Sequence, residues 1–150
     1  MSSMFLHYLF LMLVAIHVTL ACQCKPMTLL QAMCSKNTTV VLARVSDGQP
    51  HQVGKIPYRR YDIDVERKLL TQATQKLTLN NNHGTLQFPE RESDCGGIFR
   101  DGIDYVIAGY ADSNGQLVTS HCYHYVEYEL LITDTYSMSI IIGEGDCDNA

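Results

Sequence analysis

The sequence predicts a mainly β fold, a small closed or partly open barrel of five strands with short helices at its ends. Three observations carry this expectation. Residues 58–69 alternate: Tyr61, Ile63 and Val65 face one way, Arg60, Asp62, Asp64 and Glu66 the other. A period of two marks a half-buried antiparallel strand. Four further segments rich in β-formers are set off by turn residues, among them Asp112-Ser113-Asn114-Gly115. Six cysteines supply three potential cross-links for a chain of this size.

The elements follow in order. Residues 26–35 read as a short helix: Pro26 suits a first turn, where its missing N–H is no loss, and Leu29, Leu30, Met33 and Cys34 share one face. Residues 39–45, apolar and β-branched, read as a buried strand. Residues 58–69 are the second strand. Residues 84–88, after the Asn80-Asn81-Asn82 turn, are a short third, and 103–110 are the fourth. Residues 116–126 are the fifth, carrying Cys122. Residues 127–142 stay open: the start is compatible with helix, while 136–142 is richer in β-formers. No internal repeat or linker interrupts the chain.

Length and charge narrow the class. A chain of 150 residues makes one domain. Its 16 acidic and 11 basic residues leave a net charge of −5, and none of them falls in the first 21 positions. This argues against a long disordered chain, a polytopic membrane protein and a broadly basic nucleic-acid binder. Residues 5–18 form an apolar run broken only by His7 and His17, ending in Val18-Thr19-Leu20-Ala21. Small residues at Ala21 and Thr19 fit removal of a secretory signal peptide, residues 1–21, directly before Cys22. The run lacks a leading Lys or Arg. An uncleaved anchor is the competing reading, but the run is rather short to span a bilayer. A lipoprotein site also ends in Cys but wants Leu where Thr19 stands. The expected product is secreted, extracellular and free of membrane once residues 1–21 are gone.

Secretion changes how the cysteines are read: in an oxidising compartment, six of them form a disulfide framework rather than a zinc site. The sequon Asn37-Thr38-Thr39 fits a glycan on a surface turn. Cys22, Cys24 and Cys34 cluster early, while Cys95, Cys122 and Cys147 are spread through the rest. Fifteen pairings are possible. Cys22 and Cys24 are poorly placed to pair with each other, since alternate side chains of an extended segment lie on one face. If each early cysteine takes a late one, the N-terminal segment is stapled to the barrel at two sites. Each such loop stabilises by roughly 4–5 kcal/mol in the chain-entropy model, not additively. A terminus that normally frays would then be fixed.

Cys22-Gln23-Cys24-Lys25-Pro26, with Gln31 three residues before Cys34, resembles the mature start of the tissue inhibitors of metalloproteinases. Glu92-Ser93-Asp94-Cys95-Gly96 is similar to that family's connector, and Tyr105-Val106-Ile107-Ala108-Gly109 to one of its strands. The resemblance covers residues 22–150 as one netrin-like, OB-type inhibitor domain. It implies the disulfides Cys22–Cys95, Cys24–Cys122 and Cys34–Cys147. It also implies inhibition of zinc endopeptidases, matrix metalloproteinases or related metzincins, with the α-amino nitrogen and carbonyl oxygen of Cys22 on the target's catalytic zinc. Gln23 would enter the specificity pocket, where many members carry Thr or Ser. Lys25 and Pro26 would extend the wedge. Ser93 and Asp94, beside Cys95, would form a second contact ridge, Asp94 standing where an apolar residue is common. Glu127-Tyr128 stands where the family usually has Pro-Trp. The chain ends three residues after Cys147, so the second six-cysteine domain of longer members is not expected.

Other motifs have plainer readings. His121-Cys122-Tyr123-His124 is no metal site if it lies in a strand, because His121 and His124 then face opposite ways. Asp112-Ser113-Asn114-Gly115 lacks the further ligands of a calcium loop. Arg59-Arg60 and Arg67-Lys68 alternate with acids, as a solvated strand face does. OB folds often bind nucleic acid, but this chain is acidic. With no CxxC and no evident Ser/His/Asp arrangement, the expectation is a monomeric, non-enzymatic protein with no cofactor of its own, binding its target's catalytic zinc. The alternative is a netrin-like module that binds a matrix or receptor partner without inhibiting.

Overall fold

The computed structural model describes residues 22–69, 76–134 and Cys147. Its elements are α1 (Leu29–Cys34), β1 (Thr39–Val53), β2 (Ile56–Lys68), β3 (His83–Pro89), a 3-10 turn (Glu92–Asp94), β4 (Ile103–Ala111), β5 (Leu117–Val118), β6 (Tyr125–Glu127) and α2 (Tyr128–Leu131). β1 pairs antiparallel with both β2 and β4. β2 pairs with β3, β3 runs parallel to β5, and β5 returns to β4. The five strands close into a ring, as the sequence predicted.

β1 explains its own composition. Val41, Ala43 and Val45 point into the barrel with Tyr61, Ile63, Val65, Phe88 and Ile107. Val40 and Leu42 point outward, yet are covered by Leu29, Ala32 and Met33 of α1 and by Leu131 of α2. A strand buried on both faces needs an unbroken apolar run. Phe99 closes the aromatic end of the interior, its ring edge-on to Tyr61 and Tyr105, its N–H donated to Tyr61 Oη at 3.1 Å.

Three sequence expectations are corrected. The helix begins at Leu29, not at Pro26. Thr28 caps it: its Oγ1 accepts from Gln31 N–H, and the Gln31 amide oxygen accepts from Thr28 N–H. That reciprocal capping box fixes the start and leaves Pro26 in the extended lead-in. β1 runs well past residue 45, to Val53, and with β2, which begins at Ile56, makes an exposed two-stranded ribbon closed by Gly54-Lys55, with Gly54 at φ 62°.

The fifth strand is also not continuous. β5 and β6 both lie on the same edge of β4, opposite Ala111–Tyr110 and Ile107–Tyr105 respectively. Residues 119–124 leave the ladder between them. Cys122 therefore sits on a loop, not in a strand. Ala108 N–H reaches across to His124 O, and Thr119 Oγ1 donates to Ala108 O, so the loop is tied at both ends. Residues 127–142 prove helical at their start; 136–142 lie outside the described residues, as does the 1–21 segment. Among the described residues no helix is long and apolar enough to cross a membrane.

Candidate functional site

All three disulfides form: Cys22–Cys95, Cys24–Cys122 and Cys34–Cys147, with Cα–Cα separations of 5.0, 5.5 and 5.4 Å. The first two lie against each other. Cys22 Sγ is 3.4 Å from Cys24 Sγ, and Cys24 Sγ is 3.9 Å from Cys95 Sγ. Cys22 and Cys24 thus turn their side chains to one face, as extended chain requires. Gln23, Lys25 and Pro26 are exposed. The four sulfurs lie within 4.8 Å of one another. All are spent in disulfides, so no thiolate is left to hold a metal.

Two backbone bonds complete the clamp, both from the loop that interrupts the fifth strand. Met27 N–H donates to Cys122 O at 3.0 Å, and His121 N–H donates to Cys95 O at 2.7 Å. One six-residue excursion thereby holds the N-terminal segment and the connector together. The His121 ring packs on Phe88 and its Nδ1 lies 2.7 Å from Tyr125 Oη.

The connector is a tight turn. Arg91 O accepts from Asp94 N–H and Gly96 N–H, and Glu92 O accepts from Cys95 N–H, all at 3.0 Å. Cys95 takes the left-handed conformation, φ 61°, that ends the 3-10 turn. For a residue with a Cβ this costs on the order of 1 kcal/mol, and the disulfide and the bond from His121 hold it. Gly96 follows against Pro89: a Cβ there would lie 1.7 Å from Pro89 O. Pro89 O also accepts Gly97 N–H at 2.9 Å. Asp94 is turned sideways onto Arg91, Nε to Oδ2 2.9 Å. Ser93 lies in the 3-10 turn.

Of the site residues expected from sequence, Cys22, Cys24 and Cys95 are in contact, which joins the segment that carries Gln23, Lys25 and Pro26 to the one that carries Ser93 and Asp94. Sequence reasoning missed Arg91 and His121. The i, i+3 spacing of Arg91 and Asp94 was the signal for the first. His121 was signalled only by its place beside Cys122. Asn37 stands exposed on the turn between α1 and β1.

His121 and His124, expected on opposite faces of a strand, are not in one. They lie in a loop, where His121 is engaged with Tyr125. His124 is half-buried, and among the described residues its buried Nε2 has no hydrogen-bond partner. Burial pushes its pKa below the ordinary histidine value, while a bond with the Met27 backbone opposes this more weakly. The unfolded chain then binds a proton that the folded chain refuses. Stability from this group is full above about pH 6.5 and is lost as pH falls from there toward the folded pKa. Thermal melts from pH 7.5 to 5 should show this decline, and His124→Gln should flatten it. An equal slope in the variant would refute the assignment.

The family model of tissue inhibitor of metalloproteinase matches residues 20–144. The chain belongs to that family. A search of curated proteins finds no match. Membership fits the closed ring with short helices and three disulfides, since the family's netrin-like domain is an OB-like fold. Its members are metalloproteinase inhibitors rather than enzymes, so the general role is inhibition and the partners are metalloproteinases. The disulfides fit the extracellular location of the family's members.

Proposed function

We propose that the chain is a secreted inhibitor whose functional group is created by removal of residues 1–21. The new α-amino nitrogen and the carbonyl oxygen of Cys22 chelate the catalytic zinc of a matrix metalloproteinase or related metzincin. A catalytic zinc keeps one position open for the water that attacks the substrate. Two atoms of Cys22 would take that position and a fifth one, and so displace the nucleophile. The amine must be neutral to donate its lone pair, and an α-amino pKa near 7.7–8.0 leaves a usable neutral fraction at physiological pH.

The observation that carries this reading is the paired disulfide clamp, Cys22–Cys95 against Cys24–Cys122. It holds the chelating residue in place before binding, which lowers the ordering cost of association. Gln23 then enters the specificity pocket, where burying its amide without partners costs free energy. Lys25 and Pro26 follow the cleft on one side, Ser93 and Asp94 on the other. No cofactor of its own is needed, a monomer suffices, and Asn37 is proposed to carry a glycan away from this edge.

N-terminal sequencing and intact mass of the secreted protein test the first step: the mature chain should begin at Cys22. A panel of matrixin and adamalysin catalytic domains, titrated with that protein, tests the second. Inhibition of at least one member below micromolar concentration is expected. Absence of inhibition across the panel would instead favour a netrin-like module that binds a matrix or receptor partner.

A further inference from the structure

The connector places a carboxylate on a surface that must shed water to dock. Asp94 directly precedes Cys95, whose Cα is 5.0 Å from that of Cys22. Its side chain is 23% exposed, already more than three-quarters withdrawn from solvent. A carboxylate buried further at an interface without a partner is costly. Arg91 supplies the partner: its Nε is 2.9 Å from Asp94 Oδ2, while its own side chain remains 58% exposed. The neighbouring acid Glu90 is held separately by Arg59 at 2.8 Å. Arg91 is therefore paired with Asp94 through its Nε.

We infer that Arg91 is a positioning residue for inhibition, one that keeps Asp94 charge-compensated and turned along the connector so that an acidic ridge can enter a protease cleft. The inference rests on the proposed docking of this edge. The Arg91 backbone makes the turn, through its carbonyl bonds to Asp94 and Gly96. The Arg91 side chain does a separate task. A side-chain substitution leaves the carbonyl in place, so the two contributions can be separated. As an exposed ion pair it adds little to folding stability. Its weight falls on binding, where removing one member of a desolvated charge pair strands the other.

A double-mutant cycle tests this. Wild type, Arg91→Gln, Asp94→Asn and the double variant, each processed before Cys22, are titrated against a matrixin catalytic domain. Arg91→Gln alone should weaken inhibition about tenfold or more, the usual result of stranding a charge. In the Asp94→Asn background the same change should cost less than about threefold, since no charge is left to strand. Melting temperatures of all four should agree within a few degrees. Equal loss from Arg91→Gln in both backgrounds would overturn the inference, because Arg91 would then act on the turn or the protease directly. No loss in either background would overturn it too. Failure of the wild type to inhibit would sink the docking reading itself, whereas inhibition without coupling sinks only the role of Arg91.

Discussion

A mature chain that retains Ala21 ahead of Cys22 should lose about a thousandfold or more in inhibition, a change of roughly 4 kcal/mol. The reason is electronic and steric together. In the extended chain the Cys22 nitrogen becomes a planar amide whose lone pair is delocalised into the peptide bond. It can no longer donate to zinc, and Ala21 itself must be fitted into the cleft. Losing one central anchor on this scale is what hot-spot residues show in other interfaces. The fold should be indifferent, because Cys22–Cys95 and Cys24–Cys122 lie wholly within residues that both forms share. Melting temperatures of the two forms should coincide. Acetylating the α-amine of the correct form should reproduce the loss. An Ala21-extended chain that inhibits within a few-fold of the Cys22 form would refute chelation and move the binding energy elsewhere on the edge.

What the residues revealed in advance, and what they withheld, follows the range of the forces involved. The alternation of Tyr61, Ile63 and Val65 is a local consequence of one buried face, and β2 carries it as read. Residues 40–43 are apolar because both faces of β1 are covered there, while Arg44 is exposed and paired with Asp104, and that run too is readable. The fifth strand was not. Thr119, Tyr123 and Val126 have β propensity, yet propensity yields to tertiary context. Here the context is long-range: Cys122 must reach Cys24, and His121 must reach Cys95 O. Those partners lie far away in sequence, so no local pattern announces the break. The start of α1 differs from the sequence expectation for the opposite reason. A local signal, the Thr28–Gln31 capping box, outranks the weaker one of a proline at the first turn. The candidate site was largely readable because its chemistry is concentrated in Cys22-Gln23-Cys24 and Glu92-Ser93-Asp94-Cys95-Gly96. What escaped was the support: Arg91 through its side chain, His121 through its backbone.

That support sets the second large effect, at a residue with no side chain. Gly96→Ala places a Cβ 1.7 Å from the carbonyl oxygen of Pro89. Backbone stands on both sides of the clash, so no flexible side chain can move aside. Either the connector lifts from β3 or the end of β3 gives way. Both routes disturb Pro89 O, which also accepts Gly97 N–H, and both carry Cys95 with them. Overpacking of this kind costs about 1–3 kcal/mol in stability. The greater cost should appear in binding. Cys95 is bonded to Cys22, so a shift of the connector is transmitted through the disulfide to the chelating residue. Inhibition should fall by roughly tenfold to a hundredfold, the range of a hot-spot loss. Gly102→Ala is the control. It has φ 76° and would meet nothing within 4 Å. Its penalty is left-handed strain alone, about 1–2 kcal/mol, at a position whose N–H donates to Val45 O of β1 rather than to the clamp. The two variants should therefore lose comparable stability, read by denaturant unfolding, while only Gly96→Ala loses potency. If potency tracks stability equally in both, the connector does not position Cys22, and rigidity of the clamp is not what makes this edge an inhibitor.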